Sequence, residues 1–288
     1  MIPREFEYHA PQTIPDALGL LKQYGDEAKV LAGGHSLLPM MKMRFAQPGH
    51  LIDLGRIGEL KGIRENAGTL RIGAMTTHNE IIWSKLLQDK CALLVEGTRL
   101  IADPQVRYRG TIGGDISHGD PGNDHPALML VLGASFVLRA SSAERVVPAD
   151  GFFVGSYATQ LAPGEILTEI RIPVPAPKTG YCYAKLKRKI GDFATAAAAV
   201  TLRMQTDKVQ QVGIALTNVA PTVLRARAAE DSLRGKALND SSIAEAARLA
   251  MSICEPAADQ RGDTEYKTAM AGEMTRRALR TASLRTRQ

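Results

Sequence analysis

The sequence predicts an α+β fold in three units. Two mixed α/β subdomains lie near residues 1–53 and 54–177, and an antiparallel sheet with helices fills 178–288. Three observations predict it. Apolar or helical segments run into glycine doublets at Gly33-Gly34 and Gly113-Gly114. Pro173, Pro175, Pro177 and Gly180 crowd one short stretch, and such a cluster of breakers marks a boundary. Beyond it, strand patterns come first and helical periods last, the order of a sheet backed by helices.

The elements follow in order. Thr13-Ile14-Pro15-Asp16 makes a helix start, with a capping hydroxyl, an early proline and an acid in the first turn. Leu18, Leu20 and Leu21 supply its apolar positions, and Gly25 stops it. Ala28 to Ala32 reads as a short strand entering the first doublet, and Leu37 to Phe45 as a methionine-rich apolar segment carrying Lys42 and Arg44. His50–Leu54 and Thr69–Ala74 read as strands, and Asn79–Leu87 and Cys91–Ile101 as helices, the second ended by Asp103-Pro104. After the second doublet come a polar loop, Ser117 to Asp124, and an apolar helix, Pro126 to Leu132. Ser135–Ala140, Arg145–Pro148 and Ile166–Ile172 alternate as strands do. Tyr181–Arg188, Ala196–Met204 and Val209–Val219 form the last sheet, although Ala197-Ala198-Ala199 also suits a helix start. Helical periods then cover Ala226–Leu233, Ser241–Cys254 and Glu265–Ala282.

Composition narrows the function. The chain of 288 residues is 44% hydrophobic and 23% charged, an ordinary globular balance. It holds no apolar run of membrane-spanning length, and Met1 to Glu5 has no secretory apolar core. Cys91, Cys182 and Cys254 are isolated and show neither metal-ligand spacing nor a disulfide framework, which fits a reducing cytoplasm. The net charge is +6, with Arg276, Arg277, Arg280, Arg285 and Arg287 near the end. No aromatic residue interleaves this run, so it reads as a solvated or partner-facing helix and no nucleic-acid partner is expected.

The doublets carry the chemistry. Glycine permits backbone angles that other residues resist and leaves no Cβ in a ligand's path, so successive N–H groups can converge on an anion. Paired cradles of this kind suit a diphosphate. Neither is a G-x-x-x-x-G-K-S/T loop, which disfavours a P-loop nucleotide hydrolase, and neither is G-x-G-x-x-G after a strand, which disfavours a Rossmann site. No pair of carboxylates and no nucleophile–base set demands hydrolytic chemistry. No residue is assigned as catalytic or as a metal ligand. His35 and His118 attract notice as bases, but His35 is expected to act through its backbone or to cap its turn.

Ala32-Gly33-Gly34-His35-Ser36-Leu37-Leu38-Pro39 and Thr111-Ile112-Gly113-Gly114-Asp115 resemble the two FAD-binding segments of the molybdenum hydroxylase flavoproteins, which have the two-subdomain FAD fold of the p-cresol methylhydroxylase type. The likeness continues through Ile101 to Tyr108, Asp120 to Asp124 and Lys185 to Asp192, and covers essentially the whole chain. It is closest to the medium subunits of the aerobic, carbon-monoxide-oxidising branch with molybdenum and copper.

The resemblance implies that Ala32 to Ser36 and Thr111 to Asp115 hold the FAD diphosphate through backbone N–H groups, with hydroxyls from Ser36 and Thr111, and that Leu37 also belongs to the FAD site. Asp124 aligns with an aspartate near the ribityl and ribose hydroxyls; as a bare residue it reads equally as a helix N-cap before Pro126. Lys185 aligns with a lysine near the flavin, where a cation stabilises the reduced anionic ring; on its own it reads as a solvated strand lysine. Phe193 falls where relatives carry tyrosine beside the isoalloxazine. Ile101, Ala102 and Leu167 are ring or adenine contacts or core. Asp115 stands where asparagine is usual, and its side chain is expected to turn aside from the phosphates.

The implied role is electron transfer inside a larger enzyme. A large partner subunit would carry the molybdenum–copper cofactor and a small one two iron–sulfur clusters, as a dimer of heterotrimers. A quinone or other acceptor would take the electrons, in the cytoplasm or at the inner face of the membrane. Competing readings are a sister hydroxylase acting on an N-heteroaromatic or acyl-CoA substrate, a self-contained flavin oxidase, and a scaffold without flavin.

Overall fold

The computed structural model describes residues 1–287; Gln288, the end of the expected C-terminal unit, lies outside the described residues. The first unit is built of β1 (Glu7–His9), α1 (Ile14–Tyr24), β2 (Ala28–Leu31), α2 (Leu37–Lys42) and β3 (His50–Asp53). Its sheet is parallel, in the order β1-β3-β2. The Thr13 hydroxyl caps α1 by accepting from Asp16 N–H, as the sequence predicts. Ile14, Ala17, Leu18 and Leu21 pack from α1 onto Ile52 and Leu54.

The second unit opens with β4 (Ile63–Asn66) and β5 (Thr69–Gly73). Helices α3 (His78–Trp83), α4 (Lys85–Lys90), α5 (Ala92–Arg99), α6 (Pro104–Arg109), α7 (Ile112–His118) and α8 (His125–Val131) follow. Strands β6 (Ser135–Arg139), β7 (Glu144–Pro148), β8 (Phe153–Gly155), β9 (Ala158–Thr159) and β10 (Ile166–Pro173) complete it. The main sheet is antiparallel, in the order β4-β5-β10-β6-β7. Phe136, Phe152, Leu70 and Ile72 are fully buried in its core.

The third unit is an antiparallel sheet of β11 (Gly180–Leu186), β12 (Ala196–Gln205), β13 (Lys208–Thr217) and β14 (Leu224–Arg225). Helices α9 (Arg227–Leu233), α10 (Asp240–Met251) and α11 (Thr264–Arg285) cover one face. Strand β12 settles the ambiguity of the alanine run. Ala196, Ala198, Val200 and Leu202 face these helices, while Ala197 and Ala199 join the core of the second unit. Buried on both faces, the strand shows no alternation, and its small side chains let layers approach from either side.

Four local departures from the sequence reading have physical causes. The helix expected over Asn79–Leu87 is broken at Ser84, whose backbone turns extended and whose hydroxyl caps α4. Asp103-Pro104 ends one helix and also starts α6, with Asp103 as its cap. The polar loop expected from Ser117 begins two residues later, because α7 runs on to a left-handed Gly119. The second doublet lies inside the first turn of α7 and is not a loop.

Candidate functional site

A cleft of about 740 Å³ runs between the first and second units and is closed along one side by the third. Its walls include Ala32 to Leu37, Ile101, Ala102, Thr111, Gly113, Gly114, Asp115, Asp124, Leu167, Lys185 and Phe193. Ile112 is the exception among the sequence-predicted residues. As the first residue of α7 it is fully buried in the core, and its N–H donates to the Thr76 carbonyl at 3.0 Å.

The two doublets do different work. The main-chain N–H groups of Gly33, Gly34, His35, Ser36 and Leu37 find no acceptor among the described residues. Gly34 takes φ +78°, a left-handed turn that suits glycine. The His35 Nδ1 donates to the Gly33 carbonyl at 3.0 Å and so braces the turn. The Ser36 hydroxyl makes no capping bond to α2. Here is a run of unpaired donors at a cleft wall, and such a run attracts anions.

The second doublet has almost none to give. Gly113 N–H donates to the Ala74 carbonyl at 2.8 Å and Asp115 N–H to the Thr111 carbonyl at 3.0 Å. Gly114 N–H donates to Thr111 Oγ1 at 3.1 Å. That hydroxyl accepts here and keeps its own proton for a ligand. The expectation of a second amide cradle is corrected accordingly: this segment offers the Thr111 hydroxyl and a close-packed floor. A Cβ on Gly113 would lie 2.5 Å from the Ala74 Cβ, and one on Gly114 3.3 Å from the Ala32 Cβ. On the facing side, a Cβ on Gly33 would lie 2.3 Å from the Arg109 carbonyl oxygen. The glycines therefore let the two segments touch.

The Asp115 side chain joins a buried polar group. Its Oδ2 lies 2.7 Å from His125 Nδ1, and His125 Nε2 lies 3.0 Å from Thr98 Oγ1. Thr98 gives its single proton to the Leu94 carbonyl at 2.7 Å, so it accepts from His125 Nε2–H. The remaining proton is shared between His125 and Asp115, and the pair carries no net charge toward the cleft. Burial pushes the Asp115 carboxyl up, but His125 and then His78 outweigh it and hold it below the ordinary value. His78 lies 3.8 Å from the same carboxylate, and neither of its ring nitrogens has a hydrogen-bond partner among the described residues. Burial lowers its pKa to about 4.

At the other end, Lys185 Nζ donates to Asp124 Oδ2 at 2.6 Å and to the Leu100 carbonyl at 3.2 Å. Both side chains are almost fully buried. The alternative of a solvated strand lysine is thereby excluded, and Asp124 makes no side-chain cap for α8. Tyr183, two residues before Lys185 on β11, donates its hydroxyl to Asp124 Oδ1 at 2.5 Å. Burial is the main force raising the Asp124 carboxyl, with Lys185 opposing it. Phe193 is 44% exposed at the cleft, with the Arg261 guanidinium 5.6 Å from its ring centre. Ile101 and Leu167 are buried wall residues. Arg107 donates to the Ile101 carbonyl at 2.6 Å and to that of Ala102, which takes φ +41°.

Sequence reasoning missed Tyr183, His78, His125 and Thr98. Tyr183 was within reach, because residues two apart on a strand share a face. The others had no signal, since only the fold brings them to Asp115.

A cleft lined by free amides, free hydroxyls and closely packed glycines fits a dinucleotide with a diphosphate. A family model described as the FAD binding domain in molybdopterin dehydrogenase matches residues 4–175. Another, the CO dehydrogenase flavoprotein C-terminal domain, matches residues 181–282. The chain belongs to the FAD-binding flavoprotein family of the molybdenum hydroxylases. It is 57% identical to the carbon monoxide dehydrogenase medium chain of Hydrogenophaga pseudoflava, over 98% of each chain. To the medium chain of Afipia carboxidovorans it is 52% identical over 99% of each. The fold agrees: a solved carbon monoxide dehydrogenase from Hydrogenophaga pseudoflava superposes with a TM-score of 0.98, covering 99% of each chain at 59% identity. Quinoline 2-oxidoreductase from Pseudomonas putida 86 superposes at 0.94 with 34% identity, covering 99% of this chain and all of that one. The predicted α+β fold and family are therefore correct.

Proposed function

We propose that this chain is the FAD-carrying electron-transfer subunit of a molybdenum- and copper-containing carbon monoxide dehydrogenase. Residues 1–177 form its FAD-binding domain and 178–288 its C-terminal domain. The assembly converts CO and H2O to CO2, two protons and two electrons, on a large subunit bearing the molybdenum–copper cofactor. This chain's share is to hold FAD between the iron–sulfur clusters of a small subunit and a quinone or other acceptor. It works as part of a dimer of heterotrimers, in the cytoplasm or at the inner face of the membrane.

When bound, FAD supplies the exchange between paired and single electrons. The chain's own residues supply position and charge. The amides from Gly33 to Leu37, with the Ser36 and Thr111 hydroxyls, replace water around the diphosphate oxygens. The neutral Asp115–His125 pair keeps a carboxylate from repelling them. Asp124 fixes Lys185 and would offer acceptors to ribityl and ribose hydroxyls, and the Lys185 ammonium at the cleft wall would favour negative charge on a bound flavin. Phe193, Ile101 and Leu167 provide apolar contact.

The observation that carries this reading is the run of unpaired amides at the cleft wall. The choice of carbon monoxide rests on the difference between 57% identity to a carbon monoxide dehydrogenase chain and 34% to the quinoline enzyme. The test is reconstitution with partner subunits. A yellow complex that reduces a dye with carbon monoxide, and not with quinoline, is expected. A colourless complex refutes the FAD role, and a yellow one driven by quinoline alone refutes the substrate.

A further inference from the structure

Glu7, His9 and His50 meet on the N-terminal sheet, and none of the three lines the cleft. The fold brings them together across the whole first unit. Parallel pairing of β1 with β3 sets Glu7 opposite His50, and the two-residue strand period puts His9 on the same face as Glu7. His9 Nε2 lies 3.2 Å from His50 Nδ1, a hydrogen bond that a bound ion would replace. Glu7 Oε2 lies 3.5 Å from that His50 nitrogen and 3.8 Å from the His9 nitrogen. Tyr24, the last residue of α1, stacks on the His50 ring with centres 3.7 Å apart and on His9 at 5.1 Å. Two imidazoles are thus held with ring nitrogens facing one another, and a carboxylate closes the third corner.

The spacing has a chemical meaning. Zn2+ takes nitrogen and oxygen ligands at about 2.0–2.1 Å in a tetrahedron, so its donor atoms sit about 3.3 Å apart. The three separations here surround that value. A second buried trio, His78, Asp115 and His125, fails the same test. Its Asp115–His125 separation of 2.7 Å falls well short of that value, and the other His125 nitrogen is already engaged by Thr98. Two imidazoles and one carboxylate suit Zn2+ and its borderline divalent neighbours and disfavour Mg2+ or Ca2+, which prefer all-oxygen shells.

We propose that Glu7, His9 and His50 form a divalent transition-metal site of the Zn2+ class, with the fourth position open to water. The ion would bridge β1 to β3. Strand β1 is three residues long and pairs with β3 alone, so a shared ligand set fixes its register where few ladder bonds do. The site stands apart from the flavin cleft and does not depend on the function proposed above.

The test uses the full chain without an affinity tag, stripped with chelator and titrated with Zn2+. Calorimetry and thermal melting read binding, and Co2+ absorption reads geometry. We expect one Zn2+ per chain, a higher melting temperature with metal, and tetrahedral Co2+ bands. His9→Gln should remove all three. Glu7→Gln, at an exposed side chain that leaves both rings in place, should weaken Zn2+ binding by more than the roughly tenfold that even an outer-sphere partner costs. Both variants should melt like the parent without metal and bind FAD as the parent does. Absence of a metal-dependent melting shift in the parent overturns the proposal. So does equal Zn2+ affinity in parent and His9→Gln.

Discussion

Lys185→Met isolates the buried charge beneath the cleft. In the folded chain, Asp124 Oδ2 receives Lys185 at 2.6 Å and Oδ1 receives Tyr183 at 2.5 Å, with the lysine and aspartate side chains 1% and 4% exposed. Methionine matches the volume of the lysine stem and removes the charge alone. The carboxylate is then left in an apolar wall with one donor. Breaking a buried pair in this way costs about 3–5 kcal/mol. An independent limit comes from protonation. A carboxyl with a solution pKa near 3.9 can be neutralised at pH 7 for about 4 kcal/mol, and the penalty cannot exceed that escape by much. We therefore expect Lys185→Met to lose about 3–4 kcal/mol in urea unfolding at pH 7. The loss should shrink as the pH falls toward 4, where the proton comes at little cost. The double variant Lys185→Met/Asp124→Asn should recover at least about 2 kcal/mol, because no charge remains to strand. Unfolding without FAD reads the pair itself, and flavin titration then reads its effect on the coenzyme. If Lys185→Met unfolds like the parent, or if the two single losses simply add, the pair carries no such energy and the argument fails.

Other consequences follow from the same geometry. Gly33→Ala places a Cβ 2.3 Å from the Arg109 carbonyl oxygen and 2.7 Å from the Gly110 Cα, so the two segments must part. It should cost about 1–3 kcal/mol in urea and weaken FAD binding at least about tenfold, while Gly19→Ala, with open space around it, should stabilise slightly. Asp115→Asn should leave FAD affinity unchanged or tighter, because the amide can donate to a neutral His125 that still donates to Thr98; a large loss of affinity in a flavin titration refutes that assignment. His78 binds its proton at about 4 in the fold and near 6.5 when unfolded. The unfolded chain therefore holds more protons between these values, and stability should fall by about 3 kcal/mol as the pH drops from 6.5 to 4. His78→Gln should flatten that dependence in urea unfolding across a pH series.

Much of this was legible in the chain. Thr13, Pro15 and Asp16 start a helix by local chemistry, and local chemistry is what a sequence shows. The order of strands before helices gave the third unit, and the glycine doublets gave the cleft. Strand β1 was not legible, because three residues with exposed Glu7 and Tyr8 carry no apolar period. The division of labour between the doublets was hidden for a different reason. Both contain Gly-Gly beside a hydroxyl residue, yet one leaves its amides free and the other folds them into the start of a helix. What separates them is the partner segment: Ala74 and Thr76 present carbonyls to Gly113 and Ile112, and none of the described residues presents a carbonyl to the amides of the first doublet. A motif records what a backbone is able to do, and its neighbours decide what it does.

The same reasoning ties the C-terminal unit to the cleft. Asp124 belongs to the second unit, at the start of α8, while Lys185 and Tyr183 reach it from β11. A second bond across this junction runs from Tyr183 N–H to Glu96, whose other oxygen receives Arg285 from the last helix. The buried carboxylate has no other cation within hydrogen-bonding reach among the described residues. The cleft therefore reaches its working electrostatics only when β11 docks. A substitution at the junction should therefore weaken FAD binding in a flavin titration even where it touches no part of the cleft.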